Sequence, residues 1–149
     1  MKITTRSRYG TRLMVELAQC WGQAPVRLGG IAQQEDLPAK YLEQLIIPLK
    51  RAELISSTRG PSGGYSLSRS PETITVWDIV KVLEKEEGVA PCVNDPLVCD
   101  RSGMCPTRDV WNKVALAIEN QLTSITLADL VGEEQKDIDM GGKTCTRKK

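Results

Sequence analysis

Cys92, Cys99 and Cys105 fall in the spacing Cys-x6-Cys-x5-Cys, in a segment that also carries Pro91, Pro96 and Gly103. Three thiolates offer soft sulfur to iron and negative charge that offsets the positive irons of a cluster, so an iron-sulfur site is the leading expectation. Zinc generally takes tighter Cys-x2-Cys pairs and four nitrogen or sulfur ligands, which makes a structural zinc site the weaker reading. A thiol-disulfide switch needs only two of these sulfurs and stays open. The two remaining cysteines are placed differently: Cys20, in an apolar periodic segment, reads as a small buried hydrophobe, and Cys145, in a Lys- and Thr-rich tail, as an incidental thiol. An odd total of five cysteines without even spacing is not a disulfide scaffold, and the expected location is the cytoplasm.

The elements that would position this segment are legible from periodicity. Tyr9, Leu13, Leu17 and Trp21 recur every four residues and predict a first helix over 7–21. A short helix is expected between Arg27 and Leu37, and a third from Pro38 with the apolar set Leu42, Leu45, Ile46 and Leu49. Pro48 is expected to kink or end that third helix. Leu54 to Thr58 and Tyr65 to Ser68 read as strands around the glycine-rich turn Arg59-Gly60-Pro61-Ser62-Gly63-Gly64. Thr75 with Asp78 has the spacing of a capping box and opens a helix through Val76, Ile79, Val80 and Leu83. After the cysteine segment, Trp111, Val114, Ile118, Leu122 and Ile125 form one apolar stripe on a helix predicted over about 107–124. Thr126 with Asp129 repeats the capping pattern and starts a short turn ending near Gly132. Trp77 and Trp111 are expected in the core and at an interface rather than against a metal.

Three helices followed by a hairpin is the order of a winged helix-turn-helix, which lays its second motif helix in the major groove of DNA. Lys40, Tyr41, Glu43 and Gln44 are then the candidate readers: Gln pairs with adenine, Glu accepts from cytosine, and Lys or Tyr reaches phosphate. Arg59 at the hairpin tip suits the minor groove, and Ser57, Thr58 and Ser62 suit phosphates. Charge supports this placement. Residues 1–69 carry ten Lys/Arg against five Asp/Glu, and residues 70–131 carry five against ten.

The run Tyr41-Leu42-Glu43-Gln44-Leu45, the wing Arg59-Gly60-Pro61-Ser62-Gly63-Gly64-Tyr65 and the three-cysteine segment together resemble the bacterial iron-sulfur cluster regulators of the IscR type, which include nitric-oxide-sensing repressors of the NsrR type. The resemblance covers residues 1 to about 131. It implies a homodimeric winged-helix transcription regulator with the long C-terminal helix as dimerisation element and a cluster that tunes DNA binding. In IscR-type members the glutamate matching Glu43 is associated with discriminating two classes of operator. The chain departs from the pattern at the fourth ligand. Thr107 stands where IscR-type relatives carry histidine, and this chain has no histidine. Arg8 stands where some NsrR-type relatives supply an aspartate from the partner. The remaining fourth-ligand candidates are Thr107 itself, Asp109 one helical turn from Cys105, and Asp95 or Asp100 within the loop. A [2Fe-2S] cluster is favoured over [4Fe-4S].

The expected organisation is therefore a DNA-binding domain over 1–70, a unit over 71–131 made of a connecting helix, the cysteine loop (88–106) and the dimerisation helix, and a disordered tail over 132–149. The fold class is mainly α with a small β-hairpin. No apolar run reaches the roughly 18 residues of a membrane span. A histidine base, a P-loop and a GxGxxG sequence are all missing, so an enzyme is not expected. The expected partner is double-stranded DNA with a palindromic operator read by a two-fold dimer. Two other readings stay open: a cluster-free repressor that senses thiol oxidation, and an iron-sulfur accessory protein.

Overall fold

The computed structural model describes residues 3–84 and 89–138. The order of elements is α1 (Thr5–Gln19), α2 (Leu28–Glu35), α3 (Ala39–Arg51), β1 (Ile55–Thr58), β2 (Gly64–Leu67), α4 (Val76–Leu83), α5 (Pro91–Asn94), α6 (Pro106–Thr123) and α7 (Leu127–Ile138), with 3-10 turns at Pro71–Thr73 and Pro96–Val98. This is the expected winged helix-turn-helix with a long helix after it.

α1 delivers Leu13, Met14 and Leu17 to the core, and α3 adds Leu42, Leu45 and Leu49, each at most 1% exposed. The helix has the predicted length but begins and ends two residues earlier. Cys20 leaves helical geometry and Gly22 adopts a φ of +77°, so Trp21 falls outside α1 and is 46% exposed. Cys20 is buried as expected.

α2 ends where Asp36 takes the left-handed conformation (φ 52°), and Pro38, extended at ψ 128°, precedes α3. Three residues thus make the turn between the two motif helices. Pro48 does not end α3, which runs through to Arg51. Its missing N–H leaves the carbonyl of exposed Gln44 without its helical donor, while buried Leu45, Ile46 and Leu49 hold the helix on both sides. Glu53, also left-handed (φ 58°), turns the chain into β1.

β1 and β2 pair antiparallel with Ile55 opposite Leu67 and Thr58 opposite Gly64. Gly60, at φ 109°, supplies the positive φ that the tip requires. Val26 adds a third, one-residue rung, exchanging two 2.8 Å backbone hydrogen bonds with Tyr65.

Both capping boxes form. Thr75 Oγ1 accepts from the Asp78 N–H and Asp78 Oδ2 accepts from the Thr75 N–H, each at 3.1 Å. Thr126 and Asp129 do the same at 2.8 and 3.2 Å. Between these boxes the chain leaves and returns: the Val76 N–H donates to the Ile125 carbonyl and the Leu127 N–H to the Ile74 carbonyl, both at 2.9 Å. α7 then packs on α1 with Leu127 fully buried. It continues to Ile138, past the predicted stop near Gly132 and into the stretch expected to be a disordered tail. The expectation for Cys145 and the last eleven positions lies outside the described residues.

Two close approaches set the geometry between α1 and α4. A Cβ at Gly10 would sit 2.1 Å from Leu83 Cδ1, so any side chain there forces that leucine or the helices themselves to shift. At the N-terminus of α1, Glu84 Oε1 accepts hydrogen bonds from the Thr4 N–H (2.9 Å), Thr4 Oγ1 (2.8 Å) and Ser7 Oγ (2.5 Å). A carboxylate at this end of a helix also meets the positive end of its dipole. Among the described residues, no helix is long and apolar enough to cross a membrane.

Candidate functional site

Helical spacing places Lys40, Glu43 and Gln44 on the side of α3 opposite its buried leucines, and all three are exposed together with Ile47 and Lys50. Ser57, Thr58, Arg59 and Ser62 are exposed along β1 and the hairpin turn. Lys50 Nζ donates to Ser57 Oγ at 2.5 Å, tying the end of α3 to the wing. The Arg27 guanidinium donates to the Pro61 carbonyl, so the base of α2 holds the wing loop. The contact joins residues 34 apart, and nothing local in the sequence announces it.

Tyr41 is the exception among the expected readers. Its ring meets Tyr9 edge to face, with centroids 6.0 Å apart, and its hydroxyl is buried with no hydrogen-bond partner among the described residues. In this arrangement Tyr41 does not reach a phosphate; it locks α3 against α1. Arg12 lies over the other ring, its carbon 5.9 Å from the Tyr9 centroid, and pairs with Glu35 of α2 at 2.6 Å. The reading helix is thus braced by α1 and, through it, by α2.

The cysteine segment is more structured than a bare loop. Cys92 sits in α5, Cys99 follows the 3-10 turn and is exposed, and Cys105 is the N-cap residue of α6. All three are free thiols. Their chemistry fits an iron-sulfur donor set, but among the described residues no three Cys, Asp or Glu side chains are gathered into a group that could hold a metal ion. The expected ligand set is therefore present in kind and not assembled in space. Its members belong to three separate local structures: Cys92 lies within α5, Cys99 closes the 3-10 turn and Cys105 opens α6.

The fourth-ligand candidates separate as well. Asp95 Oδ1 accepts from the Leu97 N–H at 2.9 Å, capping the 3-10 turn. Thr107 Oγ1 lies 3.2 Å from Cys105 Sγ, a hydrogen-bond contact with a candidate ligand. Asp100, Asp109 and Arg8 are exposed. The Thr107 hydroxyl and the Thr107 and Arg108 N–H groups, aided by the charge of Arg101, hold the Cys105 thiol below its ordinary value against a weaker opposing effect of burial. The Arg108 side chain reaches back over the segment, Nε to the Cys92 carbonyl at 3.0 Å and Nη1 to the Ser102 carbonyl at 3.4 Å. A basic residue just past the third cysteine was the only signal for it.

α6 brings none of its eighteen residues into the core. Ile118 and Leu122 are half-buried, whereas Val110, Trp111, Val114 and Leu116 are 52, 43, 37 and 57% exposed. A helix that leaves this much apolar surface in water is built to meet something else.

Comparison with known proteins identifies the family. The profile of the Rrf2 family, described as iron-dependent transcriptional regulator, matches residues 3–133. Protein rrf2 of Nitratidesulfovibrio vulgaris is 43% identical over 131 residues, covering 88% of this chain and 87% of that protein. Among solved structures, IscR of T. potens superposes with a TM-score of 0.75 at 41% identity, covering 92% of this chain and 90% of that one. CymR, the global cysteine regulator of B. subtilis, gives a TM-score of 0.74 at 38% identity, covering 89% and 98%.

Proposed function

The chain belongs to the Rrf2 family of transcriptional regulators, and from that premise we propose that it binds a palindromic operator as a homodimer, with its affinity for DNA set by an iron-sulfur cluster on Cys92, Cys99 and Cys105. Its relatives and structural neighbours are regulators and not enzymes, which removes the accessory-protein reading. In the proposed complex Glu43 and Gln44 face base edges, Lys40, Ser57, Thr58 and Ser62 face phosphates, and Arg59 enters the minor groove. Tyr41 has a positioning role instead.

One observation carries the proposal. The segment with three free thiols joins α4, which packs against α1 of the reading unit, to α6, whose apolar face is exposed. Anything that reshapes the segment acts on both the reading head and the surface offered to a second copy. A cluster held there would supply a group that responds to iron and oxidants, with the [2Fe-2S] form expected. The exposed run from Val110 to Leu116 supports a two-fold interface, since one winged helix alone contacts too little DNA for genomic selectivity.

A second reading has its own support. Cys105 at the start of α6, with hydrogen-bond donors aimed at its sulfur, is the type of thiol that oxidants attack first. The similarity to both IscR and CymR fits either reading. An anaerobic visible absorption spectrum of the purified chain decides between them. Charge-transfer bands that bleach with loss of operator affinity support the cluster, and their shape distinguishes [2Fe-2S] from [4Fe-4S]. A colourless protein whose DNA affinity falls with peroxide and returns with dithiothreitol overturns the cluster in favour of thiol oxidation.

A further inference from the structure

We infer that Arg108 is the positioning residue that holds the three-cysteine segment in shape, by gripping it at two carbonyls upstream of its own helix. Nε donates to the Cys92 carbonyl at 3.0 Å and Nη1 to the Ser102 carbonyl at 3.4 Å. The Arg108 backbone N–H reaches the Cys105 carbonyl at 3.2 Å. One residue on the first turn of α6 therefore touches the first cysteine, the stretch between the second and third, and the third itself.

The chemistry of the side chain suits this task. A guanidinium is a rigid planar fork whose N–H groups point in fixed directions, so the separation of the two carbonyls is set by the side chain and not by a pliable backbone. The segment's other ties are short-range, namely backbone turns and the Ser102 hydroxyl donating to the Pro96 carbonyl at 2.5 Å. α5 is four residues long, and Leu97 and Met104 are 90 and 89% exposed, so it buries no core of its own. A segment with few buried contacts opens locally at low cost, and hydrogen bonds from a charged donor then carry an outsized share of its order. Arg108 also brings a permanent positive charge to the segment. Its value toward a cluster rests on the proposed function above; the grip does not.

The test uses the full-length chain as Arg108→Ala and Arg108→Lys, with Lys113→Ala on the same exposed helix as control. In the reduced, cluster-free protein, amides of residues 92–105 exchange with solvent about tenfold faster in Arg108→Ala, while peptides from α1 and α3 exchange as in the unaltered chain. Arg108→Lys behaves like Arg108→Ala, because an ammonium cannot serve both carbonyls in fixed directions; Lys113→Ala changes nothing. Unaltered exchange in either Arg108 variant overturns the grip. After reconstitution with ferrous iron and sulfide, Arg108→Ala loses its visible absorbance several-fold faster, and equal lifetimes overturn the role toward the cluster. A chain that takes up no cluster overturns the cluster reading instead, and the exchange result still decides for or against Arg108.

Discussion

Ser7 Oγ donates a 2.5 Å hydrogen bond to Glu84 Oε1, so the residue that closes α4 also caps the N-terminus of α1. Thr4 adds its N–H and hydroxyl to the same oxygen, and both Ser7 and Glu84 are at most 8% exposed. Glu84 is the last described residue before the cysteine segment, and α1 carries the Tyr9 ring that braces Tyr41 on the reading helix. The clamp is a direct physical link between the end of α4 that leads into the cysteine segment and the helix that braces α3.

Removing the clamp should be costly. Glu84→Ala leaves three donors without their acceptor and is expected to destabilise the fold by about 3 kcal/mol in urea titration, with Glu84→Gln losing about half of that. Burial pushes the Glu84 carboxyl up, but the hydrogen bonds from Ser7 and Thr4 outweigh it and hold the group below its ordinary value. A carboxyl depressed in the folded state stabilises the protein above its unfolded value and loses that contribution as the pH falls through the folded one. Stability of the unaltered chain should therefore drop as the pH falls below the ordinary glutamate range, and the drop should be shallower in Glu84→Gln.

Gly10→Ala tests the helix crossing. Its new methyl would stand 2.1 Å from Leu83 Cδ1, so α1 and α4 must move apart or Leu83 must leave its rotamer. The expected loss is about 1–3 kcal/mol despite alanine's better helix propensity. A thermal shift upward would show that the crossing tolerates a side chain.

Base contacts and phosphate contacts should separate in binding assays. Lys40→Ala is expected to weaken binding to all sequences alike and to lower the salt slope by about one charge. Gln44→Ala should instead relax preference at one base position, by about 1–3 kcal/mol, with the salt slope unchanged. Tyr41→Phe, which removes only a buried hydroxyl with no hydrogen-bond partner among the described residues, should leave affinity and salt dependence as they are.

The exposed face of α6 offers a clean test of assembly. Trp111→Asp and Leu116→Asp alter residues that are 43 and 57% exposed and contribute nothing to the core, so each protomer keeps its fold. Sedimentation equilibrium should show a shift from dimer to monomer, and operator affinity should fall with it. A dimer that survives both changes would place the interface elsewhere.

Short-range rules determined much of this protein from its sequence alone. The leucines of α3, the glycine at the wing tip and the pairs Thr75/Asp78 and Thr126/Asp129 act within one turn of chain, and each forms as its spacing predicts. The exposed sides of α3 and the wing follow from the same periodicity, as does the family resemblance. Tertiary structure decided what depends on distant partners. Glu84 meets Ser7 across 77 residues, Arg108 meets Cys92 across 16, and Tyr41 turns inward only because Tyr9 stands opposite it. The continuation of α7 past Gly132 belongs here too, since its start is anchored by Ile74 and by burial of Leu127 against α1. Hydrophobic period and capping chemistry are written in neighbouring residues, whereas the satisfaction of a buried carboxylate or the orientation of a tyrosine is fixed by whichever surface the fold brings against it.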